Sequence, residues 1–285
     1  MKRILNLAWK EFIHGGHLQC LGVVGIVYVA GFLLNIEVNW EILALAYLIF
    51  YPIYINNRFR WIKLDGSANP ERTKHLKSYL PLTPKIILFS VFLLVVLLTY
   101  IGNAKLTALS LTLLILGLLY PFYFKNLTKK IFAFKNFYVA LFFAAMAFLP
   151  VLHSSQPFAA SLLASFLLLV FLKTVLMQIL LDCKDIEEDK AIGLLTVPAL
   201  IGKEGTLKFL RIANTLTVIL VLFLSFLLID GFPLQMMALL LIIPFNFLSY
   251  NLAQQQNYYG YILAGGEFLL WPILILIAKI IPAVS

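Results

Sequence analysis

Leu180-Leu-Asp182-Cys-Lys-Asp185-Ile-Glu-Glu-Asp189-Lys-Ala-Ile-Gly193-Leu-Leu-Thr196-Val-Pro198 follows directly on an apolar run over 158–181. It places three carboxylates at i, i+3 and i+7 where a hydrophobic helix ends. At about 100° per residue, Asp182, Asp185 and Asp189 would fall within roughly 60° of one helix face. Crowded negative charges repel one another unless a cation sits among them. Hard oxygen ligands without His or Cys neighbours suit Mg²⁺, which is held by a few carboxylates while phosphate oxygens complete its shell. The alternative is a solvated charged loop between membrane helices.

Working outward, the chain is 62% hydrophobic and 12% charged, with a mean hydropathy of +0.96. That is far from the balance of a soluble domain. Apolar runs long enough to cross a bilayer recur throughout, at approximately 18–36, 39–57, 85–103, 106–124, 134–152, 158–181, 207–229, 232–250 and 260–282. The pattern predicts an all-α polytopic membrane protein, a bundle of nine transmembrane helices in one domain over 1–285. Residues 1–16 are basic and amphipathic, with Ile4, Leu7, Ala8 and Phe12 set against Lys2, Arg3 and Lys10. They are expected to lie on the membrane surface. The first apolar run is too long for a signal-peptide core and lacks a cleavage site.

Basic residues set the orientation. With a cytoplasmic N-terminus, 19 of the 22 Lys and Arg lie on the cytoplasmic side. Of the others, Lys105 and Lys279 lie opposite and Lys173 is inside the sixth span. The net charge of +9 is therefore a topology signal and calls for no nucleic-acid partner. The membrane expected is a bacterial cell membrane. Cys20 and Cys183 fall near the cytoplasmic side, where thiols stay reduced, and neither has the spacing of a disulfide or zinc site.

The two halves share a plan, each with a polar segment where an even-numbered span leaves the membrane. The first runs from Tyr54 through Asn56, Asn57, Arg58, Arg60, Lys63, Asp65 and Asn69 to Arg72; the second is the aspartate segment. A site built from both would have carboxylates on one wall and amides and cations on the other. Such a pocket suits a diphosphate, with metal bridging it to the aspartates and Lys or Arg neutralising the rest. Apolar helices behind it would hold a hydrocarbon tail. The substrate class that follows is a polyprenyl diphosphate.

At this point the chain resembles the UbiA superfamily of intramembrane prenyltransferases. Asp182, Asp185, Asp189, Gly193, Thr196 and Pro198, extended by Gly202, match that family's second aspartate motif. Tyr120-Pro121 leading to Lys125, then Lys135-Asn136 opening the next helix, is also similar. The first motif departs from the family pattern NDxxDxxxD. Asn56 is in place, Asn57 and Arg60 occupy acidic positions, and one inserted residue brings Asp65 to the last acidic position and Arg72 to the downstream arginine.

The resemblance implies Mg²⁺-dependent ionisation of an allylic diphosphate and transfer of the prenyl group to a small or lipid acceptor, lipid- or quinone-related. It implies metal binding by Asp182, Asp185 and Asp189, with Asp182 and Asp185 catalytic. Substrate contacts fall to Asn56, Asn57, Arg60, Lys63, Asp65, Arg72, Tyr120 and Lys125. Arg58, Arg60 and Lys63 would grip the diphosphate directly where acid has been lost. Two alternatives stand beside this reading: cyclase chemistry of the same type, and a non-catalytic prenyl-lipid-binding membrane protein. A transporter is disfavoured because charge collects at helix ends and nine spans do not divide into two repeats. Lys173, inside the sixth span, is assigned a catalytic role in the cavity; the alternative pairs it with Glu267 inside the bundle.

Overall fold

The computed structural model describes residues 2–62 and 69–280. Among these residues the fold is entirely helical. The helices are α1 Lys2–His14, α2 His17–Leu33, α3 Trp40–Arg60, α4 Pro70–Lys77, α5 Thr83–Ile101, α6 Ala104–Leu119 and α7 Phe134–Met146. There follow α8 Phe148–His153, α9 Ala160–Asp182, α10 Ile186–Ala191, α11 Val197–Leu228, α12 Ile242–Gln254, α13 Tyr259–Gly265 and α14 Glu267–Ile280. A π-helical turn over Tyr120–Phe124 and a 3₁₀ turn over Lys125–Lys129 prolong α6, and Leu234–Leu241 leads into α12 as a 3₁₀ segment.

Among the described residues seven helical segments are long and apolar enough to cross a bilayer; two bent pairs bring the number to nine when each pair counts as one span. The bends have local causes. α1 and α2 meet at 61° across Gly15-Gly16, where Gly16 takes φ 93°, a left-handed conformation that glycine adopts without strain. α13 and α14 meet at 59° across Gly266. The seventh span begins earlier than the hydropathy suggests. Pro198 sits in the first turn of α11, where its missing N–H is no loss, and the helix is interrupted at Gly202, with φ 70° and ψ 172°.

Apolar side chains gain little from leaving lipid for protein, so close packing and polar contacts must hold such a bundle. α2 packs on α3 and α14, α3 on α5 and α6, and α9 between α7 and α11. Glycines permit the close approaches. A Cβ at Gly25 would strike the Phe268 carbonyl, and one at Gly117 would strike Ile53. An aromatic cluster fills the centre, with Phe268 on Trp271 at 4.9 Å, Phe143 on Phe268 at 5.7 Å and Phe166 on Trp271 at 6.1 Å.

One polar network crosses this apolar interior. Lys173 Nζ lies 3.2 Å from Glu267 Oε1 and also donates to the side-chain oxygens of Asn214 and Asn246. Asn246 Nδ2 in turn donates to Glu267 Oε2 at 2.8 Å. The network ties α9, α11, α12 and α14 together, with Lys173 1% and Glu267 2% exposed. Lys173 is therefore not a cavity residue, and its assignment as catalytic is corrected. An ammonium in the bilayer interior is held where an acid and amide oxygens surround it. Removing one charge strands the other. Lys173→Met is expected to destabilise the protein by about 3–5 kcal/mol, and Lys173→Met with Glu267→Leu to recover most of that loss, read as thermal unfolding in detergent.

Candidate active site

The site begins with two loops that clasp each other. α9 ends at Asp182, a turn through Cys183 and Lys184 follows, and α10 starts after Asp185. The three aspartates therefore do not continue along one helix face, as their spacing suggested. After α10, Gly193 at φ 74° reverses the chain, and Leu194 N returns to the Asp189 carbonyl at 2.8 Å. The loop before α7 pairs with this return: Ala133 N donates to Leu195 O at 2.8 Å, and Leu195 N to Thr128 O at 3.0 Å. Thr128 Oγ1 also accepts from Lys135 N at 3.2 Å. The clasp brings the first turn of α7 against the aspartates.

Lys135 Nζ then sits 3.1 Å from Asp182 Oδ1 and 2.9 Å from Asp189 Oδ2. Asn136 Nδ2 donates to Asp182 Oδ2 at 2.8 Å, and Thr196 Oγ1 to Asp189 Oδ2 at 3.0 Å. Asp185 stands nearer the rim, where Asn69 Nδ2, at the start of α4, reaches its Oδ1 at 3.3 Å. Cys183 takes no part in this chemistry. Its thiol donates to the Ile179 carbonyl at 3.7 Å, and burial pushes its pKa up to about 12, so it stays protonated and unreactive.

These groups line a cavity of about 400 Å³ between α3, α6, α7, α9 and α10. At the helix ends the lining is charged: Asp182, Asp185, Glu188 and Asp189 share it with Arg58, Lys125, Lys135 and Lys184. Deeper in the helices it becomes apolar and aromatic, through Phe50, Ile53, Val139, Phe142 and Phe143. Phe50 meets Phe143 edge-on at 5.2 Å and Phe142 at 6.0 Å. Arg58 lies over the Tyr54 ring at 5.0 Å and Lys125 over Trp61 at 3.6 Å, so both cations are braced on aromatic faces.

A model of the UbiA prenyltransferase family matches residues 83–261. The chain belongs to that family. Solved structures with the same fold include an apo UbiA homologue from Aeropyrum pernix K1, at TM-score 0.67 and 16% identity over 92% of this chain and 97% of that one. A UbiA homologue from Archaeoglobus fulgidus, bound to DMAPP and Mg²⁺, matches at TM-score 0.65 and 14% identity over 95% of this chain and 99% of that one. A digeranylgeranylglyceryl phosphate synthase structure matches at TM-score 0.55 and 17% identity, covering 98% and 97%. Among curated proteins, sequence comparison alone finds no match.

Within the UbiA fold, the cavity gathers some of the expected residues and leaves others out. Asn57, Tyr120, Lys125, Asp182, Asp185 and Asp189 line it. Asn56 and Arg60 do not: the Asn56 amide donates to the Leu118 carbonyl at 3.1 Å, and both residues line a separate outer groove. Arg72 is buried on α4 and is not part of the lining. Lys63 and Asp65 lie outside the described residues. Helical periodicity explains the division on α3, because Phe50, Tyr54, Asn57, Arg58 and Trp61 share one face and Asn56, Phe59 and Arg60 turn to another.

The site also contains residues that the sequence did not single out. The sequence marks Lys135 and Asn136 only as a dipeptide that opens a helix, and it gives Lys184, Glu188, Gln19, Gln178 and Tyr138 no role in the site. Arg58 rather than Arg60 is the α3 cation that enters the cavity.

The donor set suits a hard divalent cation in kind, being carboxylates together with Asn57, whose side-chain oxygen is buried without a donor among the described residues. Asn69 occupies one oxygen of Asp185, and Lys135 and Thr196 converge on one oxygen of Asp189, leaving these two carboxylates a second oxygen each for an ion, whereas both oxygens of Asp182 already meet Lys135 and Asn136. Among the described residues no three His, Cys, Asp or Glu side chains are close enough to enclose an ion alone. A bound ion would need ligand oxygens as well. The Thr196 hydroxyl is the local brace of this arrangement. Thr196→Val is expected to cost about 1.5–3 kcal/mol, as for a buried hydrogen bond to a charged group, measurable as a lowered thermal midpoint.

Proposed function

We propose that this protein is a membrane-embedded prenyltransferase, which ionises a polyprenyl diphosphate and passes the prenyl group to a small or lipid acceptor, lipid- or quinone-related. One observation carries the reading: a single cavity joins a charged end of four carboxylates and four cations to an aromatic, apolar interior. Such a shape matches a diphosphate with a hydrocarbon tail. The Archaeoglobus fulgidus homologue bound to DMAPP or GPP with Mg²⁺ supports the same substrate class. The concentration of basic residues on the cavity's side supports a cytoplasmic mouth and a cytoplasmic N-terminus.

Asp182, Asp185 and Asp189 would hold Mg²⁺, with the carbonyl oxygen of Asn57 available from the facing wall. When bound, the ion neutralises charge on the departing pyrophosphate. The remaining work belongs to the chain. Arg58 and Lys125 offer donors from the α3 side, and Lys184 from the turn after α9. Guanidinium donors match phosphate oxygens in a planar pair, so Arg58 also orients the leaving group. Lys135 holds Asp182 and Asp189 aimed as the diphosphate enters.

Bond cleavage leaves positive charge on the prenyl carbon and negative charge on the leaving oxygen. The donors at the charged end stabilise the second, fixed in place before reaction. Tyr138, one turn along α7 from Lys135, lines the cavity beside the charged end, where its π face would attract the cation, while Phe50, Phe142 and Phe143 lie deeper and would flank the tail. The same rings exclude water, which would otherwise capture the cation before the acceptor does.

Pyrophosphate release from dimethylallyl, geranyl and longer prenyl diphosphates, with Mg²⁺ and candidate acceptors, tests the proposal. Asp182→Ala and Asp185→Ala are expected to lower release about 100-fold or more, and chelation of the metal to abolish it. Arg58→Gln is expected to raise the apparent KM for the diphosphate. No release from any donor, together with no metal-dependent binding, would overturn the enzymatic reading. Release without acceptor, yielding a cyclic hydrocarbon, would move it to cyclase chemistry.

A further inference from the structure

A second recess lies on the outer side of α3, facing away from the cavity. It is an open groove of about 700 Å³ between α3, α5 and the π-helical turn after α6. Its walls are apolar: Leu80, Ile87, Leu88 and Val91 on the α5 side and Phe122 opposite. Leu88 is 71% exposed, which in this part of a membrane span means exposed to lipid. Among the described residues one charged side chain lines the groove, that of Arg60 at the end of α3, and no carboxylate does.

Arg60 is set up to meet an anion. Its guanidinium lies over the Phe122 ring at 4.1 Å, which fixes its plane and leaves its N–H edge free. Among the described residues it has no hydrogen-bond or ion-pair partner, and it is exposed. The apolar part has a matching length. From Thr83 to Val91, α5 rises about 12 Å, close to the ~15 Å of one leaflet's hydrocarbon half. A cation at the rim above an apolar trough of that depth complements one kind of molecule.

We propose that this groove binds an anionic phospholipid, with Arg60 on the headgroup phosphate and one acyl chain along Ile87, Leu88 and Val91. The diphosphate cavity is separate, because it opens on the other face of α3 and holds its own cations. On this reading Arg60 serves the membrane contact, although the family pattern has an acidic residue at its position. The occupant is a lipid and not free phosphate, because a lone exposed Arg binds phosphate weakly and the groove adds van der Waals packing along one acyl chain.

Native mass spectrometry of the delipidated, full-length protein tests this with phosphatidylglycerol and phosphatidylcholine of identical chains. The wild type is expected to favour phosphatidylglycerol about fivefold or more. Arg60→Gln should remove that preference without shifting the thermal midpoint. Val91→Trp, filling the trough, should weaken both lipids. Equal binding of the two lipids by the wild type would overturn the proposal, as would an unchanged preference in Arg60→Gln. Glycerol phosphate competing as strongly as the intact lipid would also overturn it, by assigning the site to a soluble anion.

Discussion

The ammonium of Lys135 between Asp182 and Asp189 is the contact on which the candidate site depends. Two carboxylates that are both nearly buried repel each other, and each carries a desolvation cost that a single neighbour would not offset. Lys135 attracts both, while Asn136 and Thr196 satisfy further oxygens. This arrangement requires α7 to begin at one particular place. The backbone pairing of Thr128 and Ala133 with Leu195 sets that start. Lys135 with the two aspartates still carries a net negative charge, so the inner end of the site continues to favour a cation.

The outer charges complete the balance around that centre. Asp185 and Glu188 add negative charge on the α9–α10 side, and Arg58 and Lys125 stand across from them, with Lys184 on the turn between α9 and α10. Four acids and four bases line one opening, with Lys135 and Lys184 among the acids and Arg58 and Lys125 across from them. Such an arrangement is close to neutral overall yet strongly divided by wall, and that division gives a bound anion a direction. The helices behind the opening give it a tail-shaped space, because Phe50, Phe142 and Phe143 lie two to three turns deeper on α3 and α7 than the charged residues.

Hydropathy alone made the helical bundle legible, since each span had to satisfy its backbone internally and be apolar enough for lipid. The bends at Gly15-Gly16 and Gly266 were harder to read, because a run of apolar residues looks continuous whether or not its axis turns. The aspartate spacing was legible as a cluster but not as geometry. It assumed one continuous helix, whereas the chain turns at Cys183 and restarts at Ile186. Lys173 stood out as a charge in a span, yet Asn214, Asn246 and Glu267 come from three other helices, and no local pattern names them. Arg58 and Arg60 differ by only two residues. The 3.6-residue period separates their faces, so this distinction is present in the sequence.

The first motif gains a physical meaning from α3's position. A diphosphate site with acid on both walls must recruit enough divalent charge to screen both walls from the substrate. Here the α3 wall presents Asn57, a neutral oxygen donor, beside the fixed cation of Arg58. Arg58 can neutralise part of a diphosphate directly, so less of the task falls to metal. Exchange of acid for amide on that wall therefore shifts the proposed site from two metal-binding walls toward one metal-binding wall and one cationic wall. The acids that keep their buried braces are those of α9 and α10, where Lys135, Asn136 and Thr196 already meet the cost of holding them. On α3 no lysine plays the part of Lys135, and an additional buried carboxylate there would need metal or would compete with the diphosphate for Arg58.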